Sequence, residues 1–144
     1  MANGQFPMAS ARSATVAVDG SESVRSKREG VFDIQQRTFA FGVRVVKLVG
    51  KFPRSVAGIE IGRQLVRAGT SVGSNMEEAD AGISRKDFVN HVRIARKEAR
   101  ESRYWLRMVV PGELLAHPEV ELLTKEADEL VRILSGIITS ATKG

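Results

Sequence analysis

Three breaks divide this sequence into four segments of helical period, and they constrain the fold more than any motif does. Phe52-Pro53, Gly82 with Ser84, and the stretch from Pro111-Gly112 to Pro118 interrupt residues 32–143. The residue before a proline avoids the α region, so the first break stops a helix. Gly82 suits a C-cap, and Ser84 suits the N-cap of the next helix, with Asp87 at N3 as a variant of the capping box. Pro118 fits the first position of a helix, where its missing N–H costs nothing, and Glu119 and Glu121 complement that helix's dipole.

Between the breaks, apolar residues recur at spacings of three, four and seven. The first helix spans about 32–51, with Phe32, Phe39, Val43, Val46 and Val49 or Gly50 as its expected buried face. The second spans about 54–80 and buries Ile61, Leu65, Ala68, Val72, Met76 and Ala79. Gly69 and Gly73 lie inside it, each costing near 1 kcal/mol relative to Ala. Close approach to a neighbouring backbone is the expected reason for them. The third helix, from Arg85 to Val110, turns Phe88, Val92, Ala95, Ala99, Ser102, Leu106 and Val109 inward. The fourth, from Pro118, does so with Leu123, Ala127, Leu130, Leu134, Ile137, Ile138 and Ala141. Four such helices with short connections predict an all-α, antiparallel up-down-up-down bundle over residues 31–144. No strand pattern or fixed-period repeat competes with it.

Residues 1–30, rich in Ala, Ser, Gly and Arg and without sustained periodicity, read as a disordered tail. Ser10, Arg12 and Ser13 suit a transit peptide, whereas Asp19 and Glu22 argue against one, and Met8 is a second candidate start. The chain has no cysteine, which removes disulfides and thiolate metal sites and suits a reducing cytoplasm. No apolar run approaches the roughly 18 residues of a membrane span, so no membrane role is expected. The two histidines, His91 and His117, cannot build a zinc site alone. No metal or cofactor is therefore expected.

The third helix carries the pattern most informative for function. Arg85, Lys86, Arg93, Arg96, Lys97, Arg100, Arg103 and Arg107 fall within an arc about 120° wide on an α-helix. The net charge is +5, but it is uneven: residues 84–112 hold eight basic and three acidic side chains, residues 113–144 three basic and six acidic. A basic face can be merely solvated, with Glu98 and Glu101 partly neutralising it at i,i+3 or i,i+4. It can equally bind a polyanion or an acidic protein surface. Arg44, Lys47, Lys51, Arg54, Arg63 and Arg67 are candidates to widen it. Tyr104 projects into the basic arc, where an aromatic can stack on a nucleic-acid base or anchor a protein contact. Ile94, Glu98, Glu101 and Trp105 form a third face, read as an oligomer interface with Trp105 as its anchor.

Other motifs read as structure. Gly69-Thr70-Ser71-Val72-Gly73 matches the G-x-S-x-G of hydrolases, but it lies inside a helix and lacks the required strand and partners. Ser71 is expected to face a neighbouring helix or to bond back to a carbonyl one turn earlier. Glu77, Glu78 and Asp80 end the second helix against its dipole, so pairing with Arg85 and Lys86 across the turn, or with another protomer, is expected. A metal site with Glu98 and Glu101 is the alternative. His91 is expected as a satisfied core or interface histidine.

Phe52-Pro53 and the run from Gly62 to Ala79, followed by Phe88, Ile94-Ala95, Glu98-Ala99, Glu101-Ser102 and Tyr104-Trp105-Leu106, resemble the signature of bacterial four-helix bundle proteins linked to 23S rRNA intervening sequences. The resemblance covers roughly residues 32–142 and places Ser71, Asn75 and Glu78 on the family's central motif. That family is similar in fold to the accessory variability determinant proteins of diversity-generating retroelements. This implies a homopentamer of bundles without catalysis, engaging RNA and a reverse transcriptase. The expectation from the whole sequence is a non-enzymatic oligomer binding RNA or a ribonucleoprotein through the third-helix stripe. The alternative is a scaffold whose stripe docks an acidic protein partner.

Overall fold

The computed structural model describes residues 22–143, with side chains from Asp33 onward. Four helices follow one another: α1 (Glu22–Val49), α2 (Val56–Asp80), α3 (Arg85–Val109) and α4 (Pro118–Thr142). The first begins ten residues before the expected start at Phe32. Residues 22–31 lack apolar periodicity, but Glu22, Arg25, Lys27, Arg28 and Glu29 are good helix formers without it. The rest of the expected tail, residues 1–21, lies outside the described residues.

The helix ends follow local chemistry. Ser55 Oγ accepts from Gly58 N at 3.0 Å and caps α2. Ser84 Oγ accepts from Asp87 N at 3.1 Å and caps α3, as its sequence position predicts. Pro118 opens α4, and His117 Nδ1 caps it by accepting from Glu119 N at 3.0 Å. The C-cap of α2 is Ala81 rather than Gly82. A Cβ at Gly82 would stand 2.6 Å from Asp87 Oδ2, so glycine there makes room for the start of α3.

Neighbouring helices run antiparallel and close a ring. Between α1 and α2, a Cβ on Gly73 would lie 3.2 Å from Thr38 O, and one on Gly69 would lie 2.9 Å from Val45 Cγ1. The two mid-helix glycines therefore serve close packing against α1, as their helical cost predicts. Between α2 and α3, Arg67 Nη2 donates to Glu101 at 2.9 Å, and Asn75 faces His91. Between α3 and α4, Arg103 meets Asp128 and Arg96 meets Ser135. Between α4 and α1, Arg37 grips Glu126 and Arg44 grips Glu119, each through two nitrogens. Phe41, Leu48, Leu65, Val72, Met76, Val92, Leu106, Leu123, Leu130 and Leu134 fill the centre.

The buried face of α1 differs from the expected one except at Val49, which packs partly buried against the core. Phe39 is 56% and Val46 49% exposed, and Val43 is half-buried. Ile34, Phe41, Val45 and Leu48 face the core instead, with Thr38 bonding back to Ile34 O at 2.9 Å. The side chain of Phe32 lies outside the described residues. Two apolar stripes of similar spacing run along this helix, and periodicity cannot rank them. The glycine notch that receives Val45, together with the pairs made by Arg37 and Arg44, selects the other stripe.

Candidate nucleic-acid interface

Helix α3 lies between α2 and α4, and its basic residues divide accordingly. Three of the eight turn to α4. Arg103 Nη1 donates to Asp128 Oδ1 at 2.6 Å, and the same carboxylate takes Arg132 Nη2 at 2.6 Å. Arg96 Nη1 donates to Ser135 Oγ at 3.2 Å, and Arg85 Nη1 reaches Ala141 O at 3.5 Å near the C-terminal end of α4. That last contact places a cation at the negative end of a helix dipole. These three of the eight side chains are thus hydrogen-bonded to α4, whereas the expectation had all eight facing a ligand. The arc is continuous on a lone helix and is clipped where α4 packs.

The remaining five, Lys86, Arg93, Lys97, Arg100 and Arg107, are exposed. None makes a hydrogen bond or ion pair among the described residues. Tyr104 stands among them, 53% exposed. The face carries no carboxylate, because Glu98 and Glu101 turn to α2. Glu98 is only 6% exposed and its Oε1 lies 3.6 Å from Arg67 Nη1. Glu101 holds Arg67 Nη2 at 2.9 Å. Among the described residues, neither glutamate forms the i,i+3 or i,i+4 ion pair with the stripe that the sequence allowed. Five unpaired cations on one helical face repel one another, and an anion laid along them relieves that repulsion.

The residues read as an oligomer interface also separate. Glu98 and Glu101 belong to the α2–α3 seam inside the chain, and Trp105 is half-buried against the core. Ile94 remains exposed. A single chain thus accounts for three of the four residues of that third face. Three of the six cations expected to widen the stripe are engaged elsewhere. Arg44 pairs with Glu119, Arg63 with Glu60 at 3.0 Å, and Arg67 with the two α3 glutamates. The α1 members also sit diagonally across the ring from α3.

Of the central motif, Ser71 Oγ bonds back to Arg67 O at 2.7 Å, as expected for a helical serine. Asn75 Nδ2 donates to Ser71 O at 2.9 Å, and its Oδ1 lies 3.4 Å from His91 Nδ1. His91 Nε2 also lies 3.8 Å from Asp87. Glu78 stands apart, exposed near the end of α2. Neither it, Glu77 nor Asp80 forms the expected pair with Arg85 or Lys86 among the described residues, since Arg85 is drawn to α4. No group of three or more His, Asp or Glu residues among those described is placed to hold a metal ion. No described helix is long and apolar enough to cross a membrane.

Some features are visible only in the folded chain, and others have a local signal. The capping roles of Ser55 and His117 have one, since each directly precedes the first turn of its helix. The pairs Arg37–Glu126 and Arg44–Glu119 have none, because they join positions 89 and 75 residues apart. In the second pair, the hydrogen bond from Arg44 holds the Glu119 carboxyl below its ordinary value, and Glu119 in turn raises Arg44.

Residues 31–136 match the family model described as 23S rRNA-intervening sequence protein. A crystal structure of a protein of unknown function from the S23 ribosomal protein family of Bacteroides thetaiotaomicron is also similar, at 31% identity and a TM-score of 0.71. The match covers 76% of this chain and 98% of that one. No curated protein matches significantly. The chain belongs to the 23S rRNA-intervening sequence protein family.

Proposed function

We propose that this member of the family is a non-enzymatic, self-associating bundle that binds RNA, alone or within a ribonucleoprotein, through the outer face of α3. One observation carries the reading: Lys86, Arg93, Lys97, Arg100 and Arg107 share the surface of α3, with no carboxylate among them and no partner among the described residues. A solvated structural face has no need to leave its cations unpaired when the same helix carries glutamates turned elsewhere. The family's name, which ties it to an rRNA segment, favours RNA over other polyanions. The expected likeness in fold between this family and the accessory variability determinant proteins favours a homopentamer and a reverse transcriptase as a protein partner. Repeated around such an oligomer, the face becomes a basic surface of the size a folded RNA needs.

The test is the affinity for a structured RNA hairpin across a salt series. Log K should fall linearly with log salt, with a slope of about −0.7 to −0.9 for each phosphate contacted. Affinity that stays flat with salt, or is absent at low salt, overturns the reading. A second reading rests on the exposed Glu77 and Glu78 and on Asp80 at the end of α2. They offer an acidic surface on which the basic face of another copy could dock. Replacing Arg93, Lys97 and Arg100 by Glu separates the two: lost self-association with unchanged RNA affinity favours this scaffold.

A further inference from the structure

Tyr104 is the one aromatic on the outer face of α3, and its setting suits a narrower purpose than holding phosphates. Its ring meets that of Trp105 at a centroid distance of 5.1 Å and an interplanar angle of 77°. In an edge-to-face pair, whichever ring supplies the edge, at least one face of Tyr104 is left uncovered by its partner. Trp105 is itself packed against the hydrophobic core. The tyrosine ring therefore leans on a fixed neighbour and loses little freedom when something stacks on it. Arg100 lies one turn before it and Arg107 one turn after, about 4.5–6 Å away along the axis and on the same face. Both are exposed and without an ion partner among the described residues.

We infer that Tyr104 is a stacking platform for an unpaired base, so the preferred ligand is RNA with a single-stranded loop, bulge or end rather than uniform duplex. This rests on the proposed RNA-binding face. An A-form duplex hides its bases in a deep, narrow major groove and offers mainly phosphates and ribose hydroxyls. Against that surface the flanking cations suffice and an exposed aromatic adds nothing. A splayed base presents a π-face that an aromatic ring can cover while neighbouring cations hold the phosphates on either side.

The test compares two RNAs of equal length and charge, one fully paired and one with a single bulged 2-aminopurine. The full-length protein is compared with Tyr104→Leu, which keeps apolar bulk without a π-face, and Tyr104→Phe, which keeps the ring. Wild type should bind the bulged RNA more tightly and quench its fluorescence. Tyr104→Leu should lose about ten-fold on the bulged RNA and the quenching with it, while its affinity for duplex stays put. Tyr104→Phe should behave as wild type. Equal affinity of wild type and Tyr104→Leu for the bulged RNA overturns the platform while leaving the basic face standing, as does an equal loss on both RNAs. Failure of the wild type to bind either RNA at low salt removes the basic face and this inference together.

Discussion

Two groups of cations on one helix behave oppositely in this molecule. Along the seam with α4, Arg103, Arg96 and Arg85 each reach an oxygen on the neighbouring helix. On the outer face, Lys86, Arg93, Lys97, Arg100 and Arg107 reach none among the described residues. The residue type is nearly the same, and the positions interleave within single turns. What separates them is whether an acceptor on another helix stands opposite. A seam arginine is a cross-link that stabilises the bundle. An outer one costs the bundle a little repulsion and is open to an external anion.

The strongest way to break this contrast is to neutralise the outer face as a block. The combination Arg93→Gln, Lys97→Gln, Arg100→Gln and Arg107→Gln should weaken RNA binding at least about 100-fold at low salt. It should also flatten the salt slope by roughly 0.7 for each phosphate no longer neutralised. Chemical denaturation should show stability within about 0.5 kcal/mol of wild type, since unpaired surface side chains are being changed. A large loss of stability instead would mean that these side chains hold the bundle together.

The seams should answer in the opposite way. Gly69→Val drives new atoms into Val45, and a Cβ alone already stands 2.9 Å from it. Overpacking of this kind costs about 1–3 kcal/mol, read as a lower urea midpoint, with unchanged RNA affinity in the molecules that remain folded. Within α3 itself, Arg103→Gln should cost up to about 1 kcal/mol through its partly exposed pair with Asp128, while leaving RNA affinity within about two-fold. If Arg103→Gln instead matches Arg100→Gln in weakening RNA binding, the boundary between seam and face is misplaced.

The smallest effect concerns pH. Arg44 holds Glu119 below the ordinary 4.5. A carboxylate whose folded value is lowered adds stability above its unfolded value, and that stability is lost as pH falls through the folded value. Both partners are partly exposed, so the contribution is on the order of a few tenths of a kcal/mol. Glu119→Gln should therefore lower the urea midpoint slightly near neutral pH and match wild type in strong acid. A gap between the two proteins that stays constant from about pH 6 to about pH 2 would assign the loss to packing rather than to charge.

Much of the fold was legible along the chain. Pro53, Ser84 and Pro118 mark the helix boundaries because capping and proline geometry are local. Gly69 and Gly73 announced a close approach because nothing else justifies them in mid-helix. The site was legible only in part. The stripe on α3 is visible from 3.6-residue periodicity. Its division is not, since Asp128 and Ser135 lie 25 and 39 residues beyond their partners. Glu98 and Glu101 looked available to the stripe, and Arg67 took both.

The sequence alone therefore determined four helices, most of their ends, their antiparallel order and a basic face on the third. These follow from interactions spanning about four residues, which repeat wherever the chain is helical. Tertiary structure alone decided which of two apolar stripes on α1 is buried and which cations on α3 are left over. Those choices depend on the register of one helix against another. A helix offers several chemically similar faces, and only the notches and carboxylates of its neighbours select among them.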